Sequence, residues 1–163
     1  MRHRPRSRRR PGVTLVETAI VYPILLLLIF GAIVISVGIS HFQQVAGMAR
    51  EGARWASVHG WQYNQDTGNA TATPQSIYTN AIQPHAAPLD TSGMSFTSSG
   101  GQGTSLDFTV TWLNSNQKTK NWDSTNQVWM MNTVTVTVTY TWAPQLYLGP
   151  VTLSSTSVVT IQY

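Results

Sequence analysis

The longest feature of the hydrophobic pattern is an apolar run over residues 13–40, in which Glu17 is the only charged residue. The run is longer than the ~20 residues that an α-helix needs to cross a bilayer. A buried core helix of this length does not suit so short a chain, because the rest of the protein is too small to surround it. The pattern therefore predicts a membrane-spanning helix, which Pro23 should kink by interrupting the ladder of hydrogen bonds.

The helical pattern continues beyond the apolar run. Residues 41–58 carry apolar or small side chains at every third or fourth position, which is the period of one helix face. This stripe consists of Phe42, Val45, Met48 or Ala49, Gly52, and Trp55 or Ala56. Gly60 then supplies a helix end. We expect one helix from about residue 13 to residue 58, roughly 69 Å long, with a lipid-facing first half and an amphipathic second half.

The carboxy-terminal part of the chain shows a different period. Residues 104–113, 133–142 and 151–163 place apolar side chains at every second position, and residues 93–97 form a shorter candidate. Such alternation with β-branched residues predicts strands. Each strand has one apolar face, so the sheet should be covered on one side only. Between the strands we expect a flexible turn at 98–103 and a polar segment at 114–127. Before the first strand we expect a loop at 61–75 and a short helix at 75–86.

These elements together predict an α+β fold. A long N-terminal membrane-spanning helix should pack its outer half on a small antiparallel sheet of three or four strands. The expected division of the chain is a basic leader (1–12), a transmembrane helix (13–40), an amphipathic extension of that helix (41–60) and an extracytoplasmic α+β domain (61–163).

The charges of the chain are unevenly distributed. Six of the ten lysines and arginines lie in the first ten positions, whereas the chain from Pro11 onward carries a net charge of −2. A basic flank on the N-terminal side of a span places the N-terminus in the cytoplasm and the remainder outside. A basic tail can also bind nucleic acid. Its position directly before the span favours a topology signal, so we expect the lipid bilayer as a partner and no nucleic acid.

Little in the sequence points to catalysis or to metal binding. The chain has no cysteine, which excludes disulfides and cysteine-based sites. The four histidines show no pair at helical spacing, and the six acidic residues are spread singly. A metal site needs convergent ligands, and glycoside chemistry needs two carboxylates. We therefore expect a protein without enzyme activity, metal or cofactor.

The six tryptophans raise the question of carbohydrate stacking. Trp112 and Trp142 lie on the apolar faces of predicted strands, so they are expected in the core. Trp61, Trp122 and Trp129 fall in or near predicted loops and are candidates for exposed contacts.

The junction between the arginines and the apolar run has the elements of a cleavage site. A secretory signal carries its small residue after the apolar region, but here Gly12 precedes it. Cleavage between Gly12 and Val13 would remove the leader arginines and leave the span attached. Glu17 would then lie one helical turn from the new amine of Val13, on the same helix face. Charge pairing with such an amine, within one chain or between chains, would offset the cost of placing a carboxylate near a membrane.

The segment "GVTLVE" at residues 12–17 resembles the type IV pilin leader. The wider segments "GVTLVETAIVYPILLLLIFGAI" and "FQQVAGMAREGARWASVHG" resemble the TadE-like pseudopilins of tight-adherence (Flp-type) pilus systems. This resemblance implies a pilin-like fold and a non-enzymatic minor pilin of the bacterial cytoplasmic membrane. It also implies cleavage by a membrane prepilin peptidase between Gly12 and Val13, and neutralisation of a neighbouring subunit's amine by Glu17. The implied partners are that peptidase, other pilins and the pilus assembly machinery.

Two alternatives stay open at the sequence level. Arg50, Glu51 and Arg54 are candidate subunit contacts, although the segment "AREGARWA" also reads as small residues that let the helix lie close to the sheet. For the whole chain, the alternative is an uncleaved, signal-anchored surface protein that binds a ligand or polymer through its β domain.

Overall fold

The computed structural model describes residues 11–87, 89–114, 117–144 and 149–163. The chain divides into two compact units, Met1–Gly38 and Ile39–Tyr163. The helices are α1 (Pro11–Val58), α2 (Trp61–Thr67) and α3 (Pro74–Ile77), and α3 runs into a π-helical turn at Tyr78–Ile82 and a 3₁₀ turn at Gln83–His85.

In the first unit, the described residues form the first part of α1. Its large apolar side chains are exposed, for example Leu15 at 71% and Leu27 at 75% of their surface. By length and composition, α1 is the one helix in the described ranges that is long and apolar enough to cross a membrane. Ser36 lies within this apolar surface, and its hydroxyl donates a hydrogen bond of 2.8 Å to the carbonyl of Ala32.

The second unit contains two antiparallel sheets. The strands are β1 (Ser95–Thr97), β2 (Gly100–Gln102), β3 (Leu106–Trp112), β4 (Lys120–Asp123), β5 (Val128–Met131), β6 (Thr133–Trp142) and β7 (Val151–Thr160). Five of them form a sheet in the order β1-β2-β3-β6-β7, and β4 pairs with β5 in a separate ribbon. The alternation of valine and threonine in β6 gives it one buried and one more exposed face, as the sequence period requires.

The core of this unit lies between α1 and the valine face of the sheet. Small and apolar residues of α1 are fully buried there: Val45, Met48, Ala49, Ala53 and Ala56. A Cβ atom at Gly52 would stand 3.3 Å from the Val136 side chain, so the helix backbone approaches β6 closely. Small side chains on this face of α1 therefore set the distance between helix and sheet.

The prediction of an α+β fold with a long N-terminal helix packed on a small antiparallel sheet is confirmed. Strands β3, β6 and β7 and the helical character of residues 75–86 are also confirmed. Phe42 is exposed, so the predicted stripe is wrong at its first position, whereas Val45, Met48 and Ala56 are buried as expected.

Four local predictions are wrong. The sheet has five strands rather than three or four. Residues 61–67 form a helix, not a loop. The glycine-rich segment at 98–103 contributes strand β2, in which Gly100 and Gly101 leave room for Phe108 and the backbone beside it. The polar segment at 114–127 contains strand β4.

Candidate functional site

Gly12 and Val13 lie at the amino-terminal end of the described part of α1 (Pro11–Val58). A Cβ atom added at Gly12 would meet nothing within 4 Å. Among the described residues, nothing gives a steric reason for glycine at position 12. The six leader arginines lie outside the described residues, as does the side chain of Val13.

Glu17 lies one helical turn after Val13, on an exposed position of α1. Its neighbours along the chain include Leu15, Val16 and Ile20, whose side chains are all more than half exposed. Glu17 is thus a carboxylate at one end of a continuous apolar surface. A carboxylate in such a position is stabilised by a nearby cation.

The three candidate contact residues of the outer part of α1 occupy different positions. Arg50 and Arg54 are exposed and Glu51 is half-buried. Glu51 and Arg54 line a groove of ≈ 260 Å³ together with Trp55, Val58, Asn80, Ala81 and His85. The structure therefore brings Glu51 and Arg54 to one groove, where a carboxylate and a guanidinium face an amide and an imidazole. Both charges remain open to a partner.

The three candidate tryptophans are exposed: Trp61 is the first residue of α2, and Trp122 and Trp129 lie on the β4–β5 ribbon. Trp122 faces Trp129 across the ribbon, with ring centroids 5.4 Å apart, and Trp129 keeps 67% of its surface exposed. Residues on both sides of the ribbon are apolar and exposed, including Val128 and Met131. Trp112 and Trp142, in contrast, pack against the core as expected.

The turn of this ribbon is held by Asp123. Its carboxylate accepts hydrogen bonds from the Asn126 side chain at 2.7 Å and from the Thr125 backbone at 2.9 Å. The Asn126 side chain, followed by the Thr125 backbone N–H, holds the pKa of Asp123 below its usual value. The carboxylate therefore keeps its charge to a lower pH than an unpaired aspartate would.

An aromatic row at the end of α1 was not predicted. His59 stacks on Trp55 with ring centroids 3.9 Å apart, and Tyr63 meets His59 edge-on at 4.5 Å. Tyr163 adjoins this row at 6.4 Å, and a hydrogen bond with the Asp66 side chain raises the pKa of Tyr163. The signal for the row was present in the sequence as aromatic or imidazole side chains spaced four residues apart.

Within the described residues, no group of three or more His, Asp or Glu side chains lies close enough together to hold a metal ion. The polar groups that the structure places together include those of the Glu51–Arg54 groove and those in the turn of the ribbon.

Residues 12–54 match the family model of the TadE-like proteins. This match confirms the resemblance predicted from the sequence for the amino-terminal segment. The family suggests a role in tight-adherence pilus assembly and, with the apolar helix, a membrane anchor. No curated protein matches the chain. No solved structure matches it either.

Proposed function

We propose, from the TadE-like match over residues 12–54, that this chain is a minor pilin or pseudopilin of a tight-adherence (Flp-type) pilus. In this proposal it is a non-enzymatic, single-pass protein of the bacterial cytoplasmic membrane. Its N-terminus is cytoplasmic and its β domain is extracytoplasmic. The first part of α1 serves as membrane anchor before assembly and as packing surface afterwards.

The observation that carries the proposal is the spacing of Gly12 and Glu17 at the start of the family match. The match begins at Gly12, and Glu17 stands four residues after Val13 in the same helix. Cleavage after Gly12 by a prepilin peptidase would create an ammonium at Val13. The ammonium and the Glu17 carboxylate would then neutralise each other, either in one chain or between neighbouring subunits.

The cost of placing a carboxylate in a membrane favours a partner for Glu17. A carboxylate at the centre of a membrane-spanning helix costs ~2.5–3.5 kcal/mol on insertion scales, and less near the interface. A subunit whose apolar surface is buried among other helices loses the option of turning this carboxylate towards water. Pairing with an amine from the next subunit would remove the penalty, and it would also fix the axial offset between the two helices.

Intact-mass measurement of the full chain, produced with and without a cognate prepilin peptidase, tests the proposal. We expect loss of residues 1–12 when the peptidase is present, and retention of the leader in Gly12→Ala. The matched control is Gly31→Ala, since a Cβ atom at Gly12 or at Gly31 meets nothing within 4 Å. Gly31→Ala should be cleaved normally.

An intact leader in the native host would contradict the proposal and favour the second candidate function. That candidate is an uncleaved, signal-anchored surface protein that binds a ligand or polymer through its β domain. The exposed Trp122 and Trp129 of the ribbon are the observation in its favour.

A further inference from the structure

A cleft opens beside the carboxy-terminal end of β3. Its volume is ≈ 550 Å³, compared with ≈ 260 Å³ for the Glu51–Arg54 groove. Clefts that hold small molecules usually measure ~300–1,000 Å³. The described lining comes from residues 71–75, from the end of β1 and from Trp112 and Gln117. The cleft therefore lies wholly within the second unit, and it is separate from the tryptophans of the ribbon.

The unequal lengths of β2 and β3 create this cleft. Pairing between the two strands ends at Gly100 and Thr109, whereas β3 continues to Trp112. Val110 still donates a backbone hydrogen bond of 2.7 Å to the carbonyl of Ser99. In the described ranges no strand pairs with the rest of β3 on this side. Trp112 therefore borders a gap beside the sheet.

The wall opposite Trp112 is held in place by hydrogen bonds. The side chain of Gln117 donates to the carbonyl of Ala72 at 3.1 Å, and the N–H of Ala72 donates to the carbonyl of His59 at 2.7 Å. The hydroxyl of Thr73 accepts from the N–H of Ser76 at 3.2 Å and so caps α3. A wall that is fixed before binding loses little freedom when a ligand enters.

Two aromatic side chains line the cleft on the same face of the sheet. Phe96 pairs with Gly101, Gly101 pairs with Phe108, and Phe108 and Trp112 have the same parity in β3. Phe96 is 36% exposed and Trp112 is half-buried. The cleft therefore offers aromatic surface to a ligand, in addition to the part of each ring that packs inward.

The rest of the lining is rich in uncharged polar groups. Among the described residues, no hydrogen bond engages the side chains of Gln75 and Ser98, and both are exposed. The side-chain oxygen of Gln117 is buried and accepts no hydrogen bond from the described residues, which is uncommon for such an atom. Gln117 also has a φ of 53°, and non-glycine residues in this conformation concentrate at ligand sites.

The chemistry of the lining selects one class of ligand. None of the described lining residues carries a charge, so an anionic or cationic ligand would lose water without gaining a counter-charge. A wholly apolar ligand would cover the amide and hydroxyl groups and leave them unpaired. An extended peptide needs a row of main-chain groups, and β1 offers only three residues. A sugar ring fits, because its C–H face packs on an aromatic ring while its hydroxyls bond to amides and hydroxyls.

We propose that this cleft binds an uncharged saccharide, with one ring stacked on Trp112 and hydroxyls hydrogen-bonded to Gln75 and Ser98. The site goes beyond the proposed function, because pilus assembly through α1 requires no sugar. It also does not depend on cleavage of the leader.

NMR of the full chain, labelled with nitrogen-15, locates the site. The detergent is lauryldimethylamine oxide, because a detergent with a sugar headgroup would compete for the cleft. The probes are cellotriose, maltotriose and chitotriose, each titrated separately. We expect at least one of them to shift the indole N–H signal of Trp112 saturably, with a Kd of about 1 mM or lower, and to leave the signal of Trp122 unchanged. No saturable shift of Trp112 with any of the three would overturn the proposal.

Matched tryptophan variants test the stacking. The affinity for the bound trisaccharide is measured by saturation-transfer NMR of the sugar signals. Trp112→Phe keeps an aromatic ring but reduces its area, so the affinity should fall at least about threefold. Trp122→Phe is the control, since Trp122 lies on the ribbon, outside this cleft, and it should bind as the unchanged chain does. The opposite pattern would assign the sugar to the ribbon and overturn the proposal.

A second pair of variants avoids the core, in case Trp112→Phe fails to fold. Gln75→Ala removes an exposed amide from the cleft, and the affinity should fall about two- to tenfold, which corresponds to the loss of one hydrogen bond. Gln102→Ala, at an exposed glutamine outside the cleft, should leave the affinity unchanged. Equal affinities of the two variants would overturn the proposal.

Competition distinguishes a sugar from a protein segment as the occupant. A capped penta-threonine peptide is uncharged and rich in hydroxyls but has no sugar ring. We expect it to leave the bound trisaccharide in place. Displacement of the trisaccharide by an equal or lower concentration of the peptide would assign the cleft to a protein segment and overturn the proposal. An intact leader would refute the proposed function without affecting these readouts, so the two failures are distinguishable.

Discussion

Gly60 donates a backbone hydrogen bond of 3.0 Å to the carbonyl of Tyr163, which ties the end of α1 to the end of the chain. A Cβ atom at Gly60 would stand 2.5 Å from that carbonyl oxygen and 2.8 Å from the carbonyl oxygen of Gln117. Two backbone carbonyls cannot withdraw as a flexible side chain can. Glycine at position 60 is therefore required by close approach.

We predict that Gly60→Ala lowers the free energy of unfolding by about 1–3 kcal/mol, the usual cost of overpacking a tight site. The measurement is thermal or urea unfolding of the full chain in detergent, followed by near-UV circular dichroism. Gly47→Ala is the control, because its Cβ atom meets nothing within 4 Å and alanine favours a helix. A Gly60→Ala protein as stable as the Gly47→Ala protein would contradict this account.

The second prediction concerns Glu17. If its carboxylate pairs with a neighbouring amine, Glu17→Ala should be cleaved after Gly12 at the normal rate but should fail to enter the assembled pilus complex. Cleavage is read from the intact mass, and assembly from the fraction of the chain in sheared pili or in cross-linked complexes. Glu17→Asp, which keeps the charge but shortens its reach, should give an intermediate result. Normal assembly of Glu17→Ala would refute the role in charge pairing.

The groove beside α1 gives a third prediction. Arg54 is exposed, so Arg54→Ala should change the free energy of unfolding by less than about 0.5 kcal/mol. If Arg54 and Glu51 contact another subunit, the same variant should still reduce assembly. Ala53→Leu is the contrasting variant, because Ala53 is fully buried and a larger side chain should destabilise the core by about 1–3 kcal/mol. Normal assembly of Arg54→Ala would favour the interpretation that only the small residues of this segment matter.

The turn of the ribbon should respond to acid in a defined direction. Since the native pKa of Asp123 is lowered, its contribution to stability is present above the unfolded pKa and is lost as the pH falls through the native pKa. NMR titration of the Asp123 carboxyl group should therefore give a midpoint below 3.8. Asn126→Ala removes the strongest of the hydrogen bonds and should move the midpoint upward. An unchanged midpoint in Asn126→Ala would show that Asn126 does not hold this carboxylate.

The sequence predicted those elements whose period is strong. The α1 stripe and the alternation of β6 require one particular face to be buried, so Val45 and Val136 could be assigned without a structure. Helix α2 was missed because its sequence, WQYNQDT, has no apolar stripe. Strand β4 was missed because Lys120, Asn121 and Asp123 are polar, and it forms because the apolar strand β5 pairs with it.

The candidate site was predicted at the level of residues but not of geometry. The positions of Gly12, Val13 and Glu17 follow from a local motif, which needs no knowledge of the fold. The groove that joins Glu51 and Arg54 to Asn80 and His85 depends on the π-helical turn after α3. The spacing of apolar residues in the sequence does not predict such a turn. The position of β7 at the end of the strand order likewise depends on the topology, which the sequence does not determine.

The close contact between Gly52 and Val136 has a consequence for the order of folding. The buried face of α1 leaves the ribosome early, whereas β6, which covers it, follows after most of the chain has been synthesised. Contacts between such distant parts of a sequence form late and slowly. The glycine and alanines of this face expose less apolar surface than larger side chains would before β6 is made. We therefore expect the feature that sets the packing distance also to lower the tendency of the nascent chain to aggregate.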